Sequence, residues 1–299
     1  MPTRNAVSLH GVIETLLILV LYLLIWINQK ATIGRIEVRP IARNRTMTQN
    51  KVVSIEQLKV ACKNCGLSGL CLPLGLESGD VEKLDAIIQR NRPLRKGNHL
   101  FQMGDPFSNI YVVKTGTIKT YTQSPDGTEQ VVGFYLPGES IGFGGLELGK
   151  YGCSAKALET AAVCEIPFEQ LEDLTGSIPN LQHQLFRLMS KEISKDTSLM
   201  VLLGKSTAEE RLAAFLLSLS SRFYNLGFSP TNFNLSMSRQ EIGSYLGLAL
   251  ETVSRLFTHF QEEKILLVNR KHVEILNIDA LYSLLANQSS CLDKLRFQN

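Results

Sequence analysis

The chain has 299 residues, 44% of them hydrophobic, which suits two or so domains with cores of their own. Residues 1–46 carry a net charge of +4 and the remainder −1, so overall charge gives no sign of nucleic-acid binding. Six cysteines, three of them tightly clustered, read as metal chemistry rather than a disulfide framework.

Residues 1–46 form an apolar and basic N-terminal extension. Residues 12–27 are an apolar run interrupted only by Glu14. Its 16 residues fall short of the roughly 20 that span a bilayer. Lys30, Arg35, Arg39, Arg43 and Arg45 follow it, with only Arg4 before. That asymmetry would keep the main body cytoplasmic if the run were inserted, and it is the wrong one for a secretory signal. The sequence favours Met47 as the start, with an upstream over-read, above a membrane anchor. The expected location is the cytoplasm, with membrane association through residues 12–27 as the alternative.

Residues 47–77 hold the cysteine-rich loop, CKNCGLSGLC, with Cys62, Cys65 and Cys71. Thiolates suit zinc and iron–sulfur clusters, and these three residues do not separate the two. A four-ligand site needs one more cysteine, and Cys153, Cys164 and Cys291 are the candidates. Gly66 and Gly69 are expected to turn the backbone between ligands. Free buried thiols are the plainer reading, but such thiols rarely cluster in a polar loop.

Residues 78–177 read as a sensory domain. Val81, Leu84, Ile87 and Ile88 give a helical stripe over 78–91. Alternating runs over 109–115, 117–123, 129–136 and 161–168 are separated by turn signals such as Thr115-Gly116 and Pro137-Gly138. They predict a small antiparallel β-roll, and the lack of βαβ alternation argues against a Rossmann-type enzyme. Residues 178–204 predict a long helix. Phe186, Ile193 and Met200 fill one heptad position, and Met189, Asp196 and Leu203 the other. An apolar seam broken only by Asp196 predicts dimerisation, against the plainer alternative of a helix packed on its own roll.

Residues 205–299 open with a capping box at Thr207 and Glu210, and a second lies at Ser238 and Glu241. Ile242, Leu246, Leu248, Val253 and Leu256 are spaced to pack two short helices, with Gly243 at their approach and Gly247 at the turn. This is a helix-turn-helix pattern, whose second helix enters the major groove. Its exposed residues would be Glu251, Thr252, Ser254 and Arg255. Arginine can pair with guanine, glutamate can accept from cytosine, and hydroxyls can hold phosphates. A β-hairpin wing should follow, with Arg270 and Lys271 at its tip to meet phosphate. A helical hairpin with a charged outer face is the plainer alternative. The fold class is therefore α+β: β-roll, long dimerisation helix, winged helix-turn-helix.

The order of these parts resembles the CRP/FNR superfamily, from Cys62 to Leu285. The closer likeness is to its oxygen-responsive fumarate and nitrate reduction branch. ALETAAVCEIPFEQLEDL, AEERLAAF and ETVSR carry the resemblance. It implies an oxygen-labile [4Fe-4S] cluster on Cys62, Cys65, Cys71 and Cys164, with Cys153 and Cys291 outside the set. It implies base reading by Glu251, Ser254 and Arg255 in a homodimer on TTGAT…ATCAA half-sites. It also implies an RNA polymerase contact at the turn Gln123–Thr128. The cyclic-nucleotide branch fits less well. Gly138-Glu139 is present, but Cys153-Ser154-Ala155 lacks the arginine that would neutralise a phosphate. No cyclic nucleotide is expected. An iron–sulfur redox protein, a zinc-binding regulator and a membrane-tethered regulator are the competing readings. No catalytic constellation appears, and the five histidines are scattered.

Overall fold

The computed structural model describes residues 61–285. The expectations for residues 1–46, for Met47 and for Cys291 lie outside them. Among the described residues no helix is long and apolar enough to cross a membrane.

The first helix, α1 (Ser78–Ile87), buries Val81 and Leu84. The roll follows as two antiparallel sheets. One has the order β1 (His99–Phe101), β6 (Ser154–Ala157), β3 (Ile118–Gln123), β4 (Glu129–Tyr135). The other has the order β5 (Ser140–Ile141), β2 (Asn109–Thr115), β7 (Ala162–Pro167). Phe101, Tyr111, Val113, Ile118 and Tyr151 fill the space between. The turn joining β2 to β3 depends on Gly116. Its φ is +77°, and a Cβ there would stand 2.6 Å from the Thr160 carbonyl oxygen.

The expected strands are β2, β3, β4 and β7. Strands β1, β5 and β6 have two to four residues, too few for alternation to register. The last expected strand ends at Pro167, and α2 (Phe168–Ser177) begins where an extended residue was expected.

Helix α3 (Pro179–Lys205) starts with a proline at its first turn, where the missing N–H costs nothing. It runs through Gly204 and ends at Ser206. Leu181, Leu185 and Leu188 face the roll and share a core with α1, α2 and the cysteine loop. Phe186, Ile193 and Met200 face solvent, at 59%, 65% and 67% exposure. One face of the helix therefore packs on its own roll, as the plainer alternative had it, and the expected seam lies on another face that the chain itself leaves uncovered.

Helix α4 (Ala208–Asn225) opens on the expected capping box of Thr207 and Glu210. Leu212, Phe215, Leu216 and Leu219 make it the centre of the C-terminal domain. The same core takes in Val131, Phe134, Leu136 and Leu158 from the roll. Polar contacts reinforce this junction. Arg222 on α4 donates to both carboxylate oxygens of Glu139, at 2.8 and 2.5 Å, and to the Phe134 carbonyl at 2.7 Å.

Burial would raise the Glu139 carboxyl, but the charges of Arg222 and Lys195 outweigh it and hold it below its ordinary range. A depressed carboxyl stabilises the fold above its unfolded pKa, near 4.5, and that contribution fades as pH falls. Arg222→Ala leaves a buried carboxylate without its partner. It should lower the unfolding free energy by about 3–5 kcal/mol at neutral pH and flatten the acid dependence. Urea unfolding at pH 7 and pH 4 measures both. A change under about 0.5 kcal/mol would mean that the pair is no more than a surface contact.

Candidate metal centre and nucleic-acid interface

Cys62 opens a short 3-10 helix, Cys62–Asn64, and the loop then folds through successive tight turns. The Cys65 N–H donates to Cys62, Ser68 to Cys65, and Cys71 to Leu67, at 3.1 to 3.2 Å. Gly66 and Gly69 adopt no left-handed conformation, and their Cβ positions face open space. The expectation that they make the turns is corrected: hydrogen bonds open to any residue make them. The loop is pinned at both ends. Asp85 on α1 accepts from the Cys62 N–H at 2.8 Å. Gln184 on α3, itself buried, donates to the Cys71 carbonyl at 3.1 Å.

Cys164 comes from β7, paired in register with Val112 of β2. It packs against the same apolar core as Cys62 and Cys71. The Cys71 thiol feels the charges of Cys62, Cys65 and Cys164. Burial first, then these neighbours, push it up to about 12. Burial and Asp85 push Cys62 up to about 12 as well, against the opposing charge of Arg90. Burial also raises Cys164, with Arg90 and Lys114 opposing. Thiols held this high are protonated at neutral pH, so a metal taken up here displaces protons.

Cys153 stands apart. It packs in the core between the two sheets, and burial alone raises it, to about 11. Among the described residues no three His, Cys, Asp or Glu side chains stand close enough together to hold a metal ion as they are. Asp85, Arg90 and Gln184 were not foreseen. Their contacts join segments far apart in the chain, and no local pattern announces them.

The helix-turn-helix is built as its spacing predicts. Helix α5 (Arg239–Leu246) carries the capping box of Ser238 and Glu241 and ends on Gly247, with φ +63°. A Cβ on Gly243 would lie 2.6 Å from the Leu248 carbonyl oxygen, so only glycine lets the turn close. Helix α6 (Leu250–Glu262) buries Val253, Leu256, Phe257 and Phe260. Its opposite face shows Glu251, Ser254 and Arg255 to solvent, with Thr252 half-buried. The Arg239 guanidinium, missed in the sequence, sits 3.2 Å from the centre of the Phe257 ring and braces α5 on α6.

The wing is the hairpin of β9 (Leu266–Asn269) and β10 (His272–Ile275). Strand β8 (Asn232–Asn234), also unforeseen, adds a third strand. Arg270 and Lys271 are exposed at the tip. Arg270 has φ +56°, a conformation that costs an arginine more than a glycine. A short helix, α7 (Ile278–Leu284), closes the domain.

On the seam of α3, Asp196 is exposed beside Phe186, Ile193 and Met200. Met189 and Leu203 are half-buried, Met189 against the roll core and Leu203 near the turn at Gly247. The turn Gln123–Thr128 is exposed. Glu139 faces Arg222 of the same chain.

Comparison with known proteins agrees with this architecture. Residues 91–177 match the cyclic nucleotide-binding domain family, and residues 210–284 the Crp-like helix-turn-helix domain family. The transcriptional activator protein Anr of Pseudomonas aeruginosa is 50% identical over 227 residues, covering 76% of this chain and 93% of Anr. The fumarate and nitrate reduction regulatory protein of Escherichia coli K12 is 48% identical over 225 residues, covering 75% of this chain and 90% of its own. The structure of FixK2 from Bradyrhizobium japonicum is 30% identical, with a TM-score of 0.60, over 66% of this chain and 97% of FixK2. These relatives are regulators rather than enzymes, and this chain belongs to the CRP/FNR family as a DNA-binding transcription regulator of the fumarate and nitrate reduction type.

Proposed function

We propose that the protein is an oxygen-responsive transcription regulator. In this reading Cys62, Cys65, Cys71 and Cys164 hold a [4Fe-4S] cluster that governs dimerisation and binding to a palindromic DNA site. The observation that carries it is that Cys164 of β7 packs against the core that holds Cys62 and Cys71 of the loop. An all-thiolate donor set suits an iron–sulfur cluster, and Arg90 leaves a buried donor, Nε, without a partner beside it. When bound, the cluster supplies an oxygen-labile group whose loss reports dioxygen.

The chain's own residues connect this site to dimerisation. Gln184 ties the cysteine loop to α3, and Leu181, Leu185 and Leu188 pack that helix on the same core. The outer face offers Phe186, Ile193 and Met200 to a second copy, with Met189 and Leu203 at its margin. Asp196 lies in this apolar seam. A two-fold parallel pair sets each Asp196 against its own copy. Two desolvated carboxylates repel, so the dimer needs the ordering that a loaded loop provides. Two recognition helices then read two half-sites, one alone only half. Glu251, Ser254 and Arg255 read bases, Thr252 supports them, and Arg270 and Lys271 hold phosphate. The turn Gln123–Thr128 meets RNA polymerase. The protein acts in the cytoplasm and activates or represses anaerobic genes.

Three outcomes test this. Single replacement of Cys62, Cys65, Cys71 or Cys164 by Ser should abolish the iron–sulfur absorption of anaerobically reconstituted protein, while Cys153→Ser keeps it. Zinc in place of iron, or loss at Cys153 alone, would overturn the ligand set. Arg255→Ala should cost about 1–3 kcal/mol at one guanine and relax preference there. Lys271→Ala should weaken all sequences alike and reduce the salt slope by about 1. A base-selective loss from the wing change would reverse these roles. Cluster-free Asp196→Ala should sediment as a dimer in air and bind the palindrome, where wild type is a monomer. If both remain monomers, the seam or the switch is wrong.

A further inference from the structure

One charged side chain at the cysteine site does something the ligands do not. Gln89 pairs with Glu165 through both backbone hydrogen bonds, at 2.8 and 2.9 Å. That bridge carries the next residue, Arg90, alongside Cys164 on β7. The Arg90 side chain reaches from there to the loop, where Nη2 lies 3.6 Å from the Cys62 sulfur. Its charge acts on both thiols. Arg90 therefore spans the two segments that meet at the site.

The guanidinium is fixed in place. Nη2 pairs with Asp85, and Nη1 donates to the Ile88 carbonyl at 3.4 Å. Asp85 takes the Cys62 N–H on the same oxygen, so one carboxylate orients both the ligand's backbone and the cation. The Arg90 side chain is only 16% exposed. Its Nε is buried without a hydrogen-bond partner. A buried donor left unmade is costly, so a fold that keeps one has it waiting for an acceptor.

The surroundings say what that acceptor is. Leu72, Leu84, Ile88, Ile110 and Ile166 wall the site. Four thiolates carry more negative charge than the iron and sulfide of a [4Fe-4S] core offset, so the bound group is an anion. Among apolar walls an anion needs a nearby cation and donors. Asp85 spends its charge on Arg90 and on a backbone N–H, which limits its repulsion of the site.

We propose that Arg90 is the positioning residue that holds the anionic cluster, through its charge, the Nη2–H donor to Cys62 and the unspent Nε–H. Asp85 is the residue that aims it. This inference rests on the cluster reading above. Hydrogen bonds to sulfur and local charge both set the potential of such a group. A cation favours the more negative, reduced state. Its removal lowers the midpoint potential.

The test compares full-length wild type, Arg90→Met, Arg90→Lys and Asp85→Asn, each reconstituted anaerobically with ferrous iron and sulfide. Arg90→Met should release iron to a chelator roughly 10-fold faster and show a lower midpoint potential. Arg90→Lys should recover much of the potential, because it keeps the charge, but not the retention, because it loses the planar fork. Asp85→Asn should fall between, since its amide oxygen still accepts the Cys62 N–H. A wild-type potential in Arg90→Met overturns the inference and leaves the cluster reading standing. So does a shift in Arg90→Lys as large as in Arg90→Met, which would assign Arg90 a packing role only. Failure of wild type itself to take up iron overturns both.

Discussion

The pairing of Glu139 with Arg222 is the constraint that the two halves of the described chain share. It is bidentate, largely withdrawn from solvent, and supported by the Leu136 N–H, which donates to Glu139 at 2.9 Å. Such a pair stabilises little by itself once desolvation is counted, but it is costly to break and strict about geometry. It sets α4 against the roll at one angle. Ser244 on α5 repeats the constraint on edge strand β4. It donates to the Glu129 carbonyl at 3.0 Å and accepts from the Val131 N–H at 2.9 Å. Lys119 adds ion pairs to Glu129 and Glu241, at 2.8 and 3.1 Å. The helix-turn-helix is thus seated on the sheet edge that would otherwise be open.

The turn that presents Glu139 also touches the cysteine loop. Gly138 has φ +87°, and a Cβ on it would stand 3.1 Å from the Leu70 side chain, one residue before Cys71. Neighbouring residues of this turn therefore face the loop, at Gly138, and Arg222, at Glu139. Distance along the chain hides this, since Leu70 and Arg222 belong to different domains.

What was legible in the sequence follows from the range of each interaction. The capping boxes of α4 and α5 span three residues and stand where they were expected. Gly243 and Gly247 were legible because a helix-turn-helix leaves no room for a side chain at one and needs a left-handed residue at the other. The long strands showed by alternation, while β5, with two residues, could not. At the cysteine site the spacing marked the loop. Asp85, Arg90 and Gln184 exist as a shell only after α1, β7 and α3 have packed. Gly66 and Gly69 misled, because composition suggested a backbone need that the hydrogen bonds of the loop do not impose.

Helix α3 shows why pattern alone divided two readings that the fold combines. Leu181, Leu185 and Leu188 repeat at intervals of four and three and are used up inside the chain. Phe186, Ile193 and Met200 repeat every seven and remain uncovered. A helix with one apolar stripe spends it on its own core, whereas a second stripe leaves apolar side chains in water. The inner stripe shares its core with Cys62 and Cys71, and the outer stripe carries Asp196. Any movement of the loop against α3 therefore acts on a rod whose far face carries the exposed Phe186, Ile193 and Met200. The Gly138-Glu139 turn is closed within the chain. Its carboxylate is committed to Arg222 of the same chain, so the junction between roll and DNA-binding domain is closed by a side chain that the fold itself supplies.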